Sequence, residues 1–257
     1  VAAACATLRE RLAPVAAQML GAASGLATAG SGPVTPAAGS DIVFENGEVS
    51  IRSRRGQNVS FVTVCAKAYA DRISLSATGY YRTPGIHWDW SKGVGRPFHY
   101  FANGAAVAEV EVDGYSGMHR VRRVDIVQDV GRSLNPGVDR GQIEGGFVQG
   151  MGWLTREELK WDQKGRLLTH SASTYQIPAF SDAPAEMHVT LLPDAPQDNV
   201  IHGSKAVGEP QLMLAFSVRE AIRDAIAAFG HPGGEVRLAS PATGEAIFAA
   251  VQARLKG

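Results

Sequence analysis

The chain reads as an α+β protein. Three observations carry that expectation. Strand-like alternation comes in adjacent pairs, helical stretches separate the pairs, and helices and strands do not alternate one for one as a parallel β-α-β fold requires. The expected architecture is mixed antiparallel sheets packed with helices.

The elements follow in order. Residues 2–20 are predicted helical, because Leu8, Leu12, Val15 and Met19 recur at helical spacing, with Pro14 expected to bend or weaken the helix. Residues 21–40 are low-complexity Ala, Gly, Ser and Pro, the composition of an exposed loop or mobile linker. Asn46-Gly47 between the apolar runs Ile42–Phe44 and Val49–Ile51 predicts a hairpin. Ser60 is placed to cap a helix through about Ile73, with Phe61, Val64, Cys65, Ala68 and Tyr69 on its buried face. Residues 1–73 are therefore expected as one region and 74–257 as another.

In the second region residues 74–82 alternate like a strand. Residues 104–113 place Ala106, Ala108, Val110 and Val112 on one face, and 118–128 returns after Asp113-Gly114, predicting an antiparallel hairpin. A helix is expected from about Val138 to Lys160, a turn at 162–165 and a strand at 186–192. Another helix is expected to start near Pro210 and stop by Phe229-Gly230. Thr243 caps a last helix through Leu255, without the Glu or Gln of a capping box at position 246.

Composition excludes several functions. Twenty-five Lys+Arg balance 25 Asp+Glu, so no excess positive charge serves nucleic acid or an anionic membrane, and neither is an expected partner. No run approaches the ~18 apolar residues of a membrane-spanning helix. Cys5 and Cys65 form no C-x-x-C and fit neither an Fe–S cluster nor structural zinc; two thiols in such a chain predict a reducing, cytoplasmic location. The seven histidines show no H-x-x-x-H, so no protein-ligated metal is expected. There is no Walker loop, G-x-S-x-G or G-x-G-x-x-G. The opening Val1-Ala2-Ala3-Ala4 carries no Met and no basic leader, which predicts a start inside a longer protein.

Four stretches could carry chemistry. In GQIEGGFVQGMG (141–152), Gln142, Gly145, Gly146, Gln149 and Gly150 share one helix face. Each glycine inside a helix costs ~1 kcal/mol against alanine, so a flat ligand or another backbone is expected to lie there. Spacing by itself favours close packing. In GSKAVGEPQ (203–211), Glu209 precedes Pro210, where the chain is pushed to extended geometry and a helix begins. Glu209 is thus either a general base on a rigid turn or a helix cap, and spacing favours the cap. Arg132 and Asp139 in DVGRSLNPGVD read as loop-stabilising residues. The aromatic run Tyr80 to Phe101 suits a pocket wall or an interface.

Taken together, GYYRTPGIHWDW, QIEGGFVQG, STYQIPAF and GSKAVGEPQ closely resemble the xanthine dehydrogenases, in the C-terminal part of the molybdenum-binding subunit. The resemblance is dense from about Ala68 to Phe229 and weak over residues 1–20. It implies that 74–257 is the C-terminal part of a molybdenum-cofactor-binding domain and that the chain is a fragment of a larger subunit, inactive alone. It implies a molybdenum–molybdopterin cofactor in the parent, with Glu209 taking the proton from the metal hydroxide, Gln142 binding the pterin and Lys205 supporting the site. The glycine face of 141–152 would then let the cofactor approach. The implied reaction oxidises hypoxanthine or xanthine toward urate with water as oxygen source, passing electrons through Fe–S and FAD to NAD. The implied partners are the purine substrate, an Fe–S/FAD-bearing subunit or region, and further copies in an oligomer. The alternatives are an aldehyde oxidoreductase or other aza-ring hydroxylase, and a non-catalytic subunit-association module. One departure stands out: the family usually has G-E-P-P, and Gln211 replaces the second proline, which is expected to loosen the helix start.

Overall fold

The computed structural model describes residues 1–23 and 41–256, in two compact units, 1–99 and 100–257. Most of the predicted loop at 21–40 lies outside the described residues; Gly21 to Ala23 close the first helix.

In the first unit, α1 (Ala2–Ala23) packs on a three-stranded antiparallel sheet of β1 (Ile42–Glu45), β2 (Glu48–Ile51) and β3 (Arg54–Ser60), and on α2 (Phe61–Ala70). Leu12, Val15, Ala16 and Leu20 form the buried stripe of α1, against Ile42, Val49, Ile51, Val64 and Ala68. Pro14 faces solvent within a helix that continues past it. The β1–β2 turn is built on Asn46 (φ 50°) and Gly47 (φ 76°), the two left-handed positions that a two-residue hairpin requires. Ser60 caps α2 by accepting a hydrogen bond from Thr63 N at 3.1 Å. Val64 and Ala68 are buried as expected, whereas Phe61 and Tyr69 are exposed. Cys5 and Cys65 are free thiols.

Residues 74–82 form no strand. Their alternation meets no partner ladder. Instead the Arg11 guanidinium on α1 donates to Ser74 O (2.7 Å) and Ser76 O (2.9 Å), and Gly79 lies against the Ala3–Ala4 backbone. A short hairpin of β4 (His87–Asp89) and β5 (Val94–Arg96) completes the unit.

In the second unit, β6 (Gly104–Val112) and β7 (His119–Gln128) form the predicted antiparallel hairpin, and β8 (Glu186–Leu191) joins β7 in parallel. Ala106, Ala108, Val110 and Val112 face the core, while Glu109 and Glu111 face out. Over this sheet lie α3 (Pro136–Thr155), α4 (Phe216–Ala227) and α5 (Gly244–Lys256). Ile143, Phe147, Met151, Val218, Ile222, Ile226, Ile247 and Val251 fill the interior. Each such side chain contributes about 1.5–3 kcal/mol by area removed from water. Thr243 Oγ1 accepts Ala246 N at 3.3 Å, a cap on α5.

Asn135 caps α3 through Val138 N at 3.2 Å, and Pro136 opens it. The helix stops at Thr155, short of the predicted Lys160. Residues beyond it are drawn into pairing with 167–168, where Leu168 N donates to Lys160 O at 2.7 Å and Trp161 bridges Leu167. The predicted helix from 210 is a six-residue 3-10 turn (Pro210–Ala215) leading into α4.

Candidate functional site

The chain reversal that carries Glu209 is anchored at the end of β7. Arg132 N donates to Gly203 O (2.8 Å) and Lys205 N to Val130 O (2.9 Å), so residues 130–132 and 203–205 run side by side. The Lys205 ammonium lies 2.5 Å from Asp129 Oδ2 and donates to Phe101 O at 2.8 Å. The lysine and aspartate side chains are only 9% and 5% exposed. Asp129 Oδ1 accepts Gly131 N at 2.9 Å, and Ala206 N donates to the Tyr100 hydroxyl at 2.9 Å. Lys205 therefore clasps three segments. Asp129 and Tyr100 complete the clasp; sequence reading gave Asp129 no role.

Glu209 is exposed and forms no side-chain cap hydrogen bond. Its backbone is right-handed (φ −115°, ψ −32°) rather than extended. Glu209 O accepts Leu212 N at 3.1 Å, and closing that first turn holds the residue in the helical region despite the following proline.

The expected face of α3 is divided. Gly146 and Gly150 are buried against the 210–215 turn: a Cβ on Gly146 would stand 2.7 Å from Gln211 Nε2, and one on Gly150 would strike Leu212 O. Gly146 thus leaves room for the Gln211 side chain, and Gly150 for the backbone carbonyl of Leu212. This corrects the expectation that the whole glycine face receives a cofactor. Gln142, Gly145 and Gln149 remain exposed, and a Cβ on Gly145 would meet nothing within 4 Å. Gln149 borders an open cavity of about 550 Å³ with Trp153, Ile177 and Leu212.

Gln211 joins the two motifs. Its Nε2 donates to Gln142 O and to Gly208 O, each at 2.9 Å, and the residue is fully buried. The segment it opens is a 3-10 turn rather than an α-helix, and the Gln211 side chain bonds both elements. Of the other candidates, Asp139 accepts the Ser133 hydroxyl at 2.5 Å, a loop-stabilising contact. In the aromatic run, Trp88 and Trp90 pack edge to face with centroids 6.3 Å apart.

Among the described residues no group of three or more His, Cys, Asp or Glu is placed to hold a metal ion, and no helix is long and apolar enough to cross a membrane. The site thus offers the exposed Glu209 carboxylate, the exposed amides of Gln142 and Gln149, and an open surface at Gly145. That set supplies hydrogen-bond partners and open surface.

The model of the molybdopterin cofactor-binding domain family matches residues 1–184. The xanthine dehydrogenase/oxidase of Felis catus is 52% identical over 186 residues, which cover 70% of this chain and 14% of that protein. Aldehyde oxidase 1 of Cavia porcellus is 48% identical over 191 residues, covering 73% of the chain and 14% of that protein. The crystal structure of quinoline 2-oxidoreductase from Pseudomonas putida 86 superposes with a TM-score of 0.63 at 29% identity, covering 97% of this chain and 28% of that one. The chain thus spans about 14% of the length of the curated relatives it matches.

Proposed function

The chain belongs to the molybdopterin cofactor-binding domain family, and from that premise we propose that it forms part of the catalytic centre of a molybdenum hydroxylase, with Glu209 as the base. The observation that carries the reading is the exposed Glu209 carboxylate, without a cap bond, on a turn tied through Gln211 to the backbone of Gln142. When bound, the molybdenum–pterin group supplies the redox centre at which a substrate C–H and water become C–OH, two protons and two electrons.

The roles of the chain's own residues follow. Glu209 accepts one of the protons at a carboxylate oxygen, on a turn whose backbone Gln211 ties at Gly208. Gln142 offers a side-chain donor and acceptor to the pterin edge, and the open surface at Gly145 lets the ring lie close. Lys205, paired with Asp129, supports the turn from behind. The isolated chain is inactive and holds the cofactor weakly, because these residues are one side of a cradle.

The substrate we infer is hypoxanthine or xanthine, with electrons passed through Fe–S and FAD to NAD. The partners are then an Fe–S/FAD-bearing subunit or region and further copies in an oligomer, in the cytoplasm. The 52% identity to the Felis catus protein supports this reading. A second reading, an aldehyde or aza-ring hydroxylase, is favoured by the 48% identity to aldehyde oxidase 1. The test is Glu209→Ala in the parent enzyme, assayed with xanthine and with an aromatic aldehyde. Loss of turnover with molybdenum retained supports the assignment, and near-normal turnover removes Glu209 from it. The preferred substrate decides between the two readings.

A further inference from the structure

The side chain of Gln211 is fully buried between the Glu209 turn and α3. A primary amide has two N–H donors, and here they reach two carbonyls, Gln142 O and Gly208 O, each at 2.9 Å. The reverse orientation would set Oε1 against both carbonyl oxygens, so the orientation is determined. Oε1 itself is buried without a hydrogen-bond partner among the described residues. An unsatisfied buried acceptor is unfavourable, which indicates that the residue is held for its donors and not for its acceptor. Gly146 makes the space: a Cβ there would stand 2.7 Å from Gln211 Nε2 and 2.8 Å from its Cγ.

We propose that Gln211 is a positioning residue that fixes the Gly208–Glu209 turn against the Gln142 turn of α3, and so sets where the Glu209 carboxylate stands. The proposal rests on the reading of Glu209 and Gln142 above and adds a residue that touches neither cofactor nor substrate. Glu209 has no side-chain cap bond of its own, so its direction depends on the backbone at 208–210. A proline at 211 restrains that backbone through its ring; Gln211 restrains it by bonding an element 69 residues away in sequence.

The test has two arms. The first is hydrogen exchange on the 257-residue chain, comparing the parent sequence with Gln211→Met, which keeps volume and removes both donors, and with Gln211→Asn, whose shorter amide reaches one carbonyl. Exchange at residues 208–212 is expected to speed up roughly tenfold in Gln211→Met and less in Gln211→Asn, with 216–227 unchanged. Unchanged exchange at 208–212, or equal acceleration throughout the chain, overturns the proposal; if Gln211→Met does not fold, Gln211→Asn decides by the same criterion. The second arm is the loaded parent enzyme, where Gln211→Met lowers kcat roughly tenfold while KM and molybdenum content hold. A kcat equal to the parent's in that variant overturns the positioning role. A parent that binds no molybdenum removes the functional reading instead, and the exchange result still judges the tether.

Discussion

The Lys205 ammonium lies 2.5 Å from the Asp129 carboxylate, with both side chains almost wholly out of solvent. Such a pair owes its effect to being complete, because either charge left alone in the interior is unfavourable. Lys205→Met or Asp129→Leu singly should destabilise the chain by about 3–5 kcal/mol. The double variant should recover most of the loss. Urea unfolding of the three variants checks this, and a double variant no better than the singles would contradict it.

Gly145 and Gly150 stand on one helix with opposite surroundings. Gly145→Ala places its methyl in open space and should stabilise α3 by up to about 1 kcal/mol. Gly150→Ala forces the 212 carbonyl to move and should destabilise by about 1–3 kcal/mol. If the pterin lies over Gly145, the first variant gains thermal stability and loses cofactor affinity together. Melting curves and molybdenum content measured on the same preparations of the parent enzyme read both.

His119 has its pKa held below the ordinary 6.5, first by burial and then by the nearby Arg156 charge, with Asp182 partly opposing. The folded chain therefore binds that proton more weakly than the unfolded chain does. Stability rises with pH between the folded pKa and 6.5, and falls as acid is added below 6.5. His119→Asn should flatten that part of the curve. Urea midpoints at roughly pH 7.5 and pH 5.5, for parent and variant, measure the difference.

Glu209→Gln keeps the shape of an exposed side chain that makes no cap bond. Its stability should stay within about 0.5 kcal/mol of the parent. Turnover in the full enzyme should nevertheless fall by at least about a hundredfold, the scale of losing a general base. A matched fall in stability would assign Glu209 a structural role.

What could be read from the sequence was whatever local chemistry decides. Asn46-Gly47, Ser60 and Thr243 each act within a few residues, and each turn or cap stands where expected. The alternation of β6 was equally legible, since its inward residues face one core. Alternation misled at 74–82, where the pattern is present and no neighbouring strand receives it. The parallel pairing of β7 with β8 leaves no local mark, because a long crossover separates the two strands. In the candidate site the motifs were visible one at a time, but the Lys205–Asp129 pair and the Gln211 bridge join residues 76 and 69 positions apart. Gln211 looked like a weakness because it was judged as a missing proline; its amide acts across space.

The bond from Lys205 to Phe101 O spans 104 residues. The entropy lost in closing a segment grows with its length, so contacts this distant in sequence form after nearer ones have drawn the chain together. The β6–β7 hairpin and α3 need only short-range closures and supply Asp129 and Gln142 first. The turn that bears Glu209 therefore depends on one of the costliest closures in the second unit. The surface it meets is shared with later residues, because Val218, Ile222, Ile226, Ile247 and Val251 fill the same core as Ile143 and Phe147; the base and the helices that follow it stand on one interior.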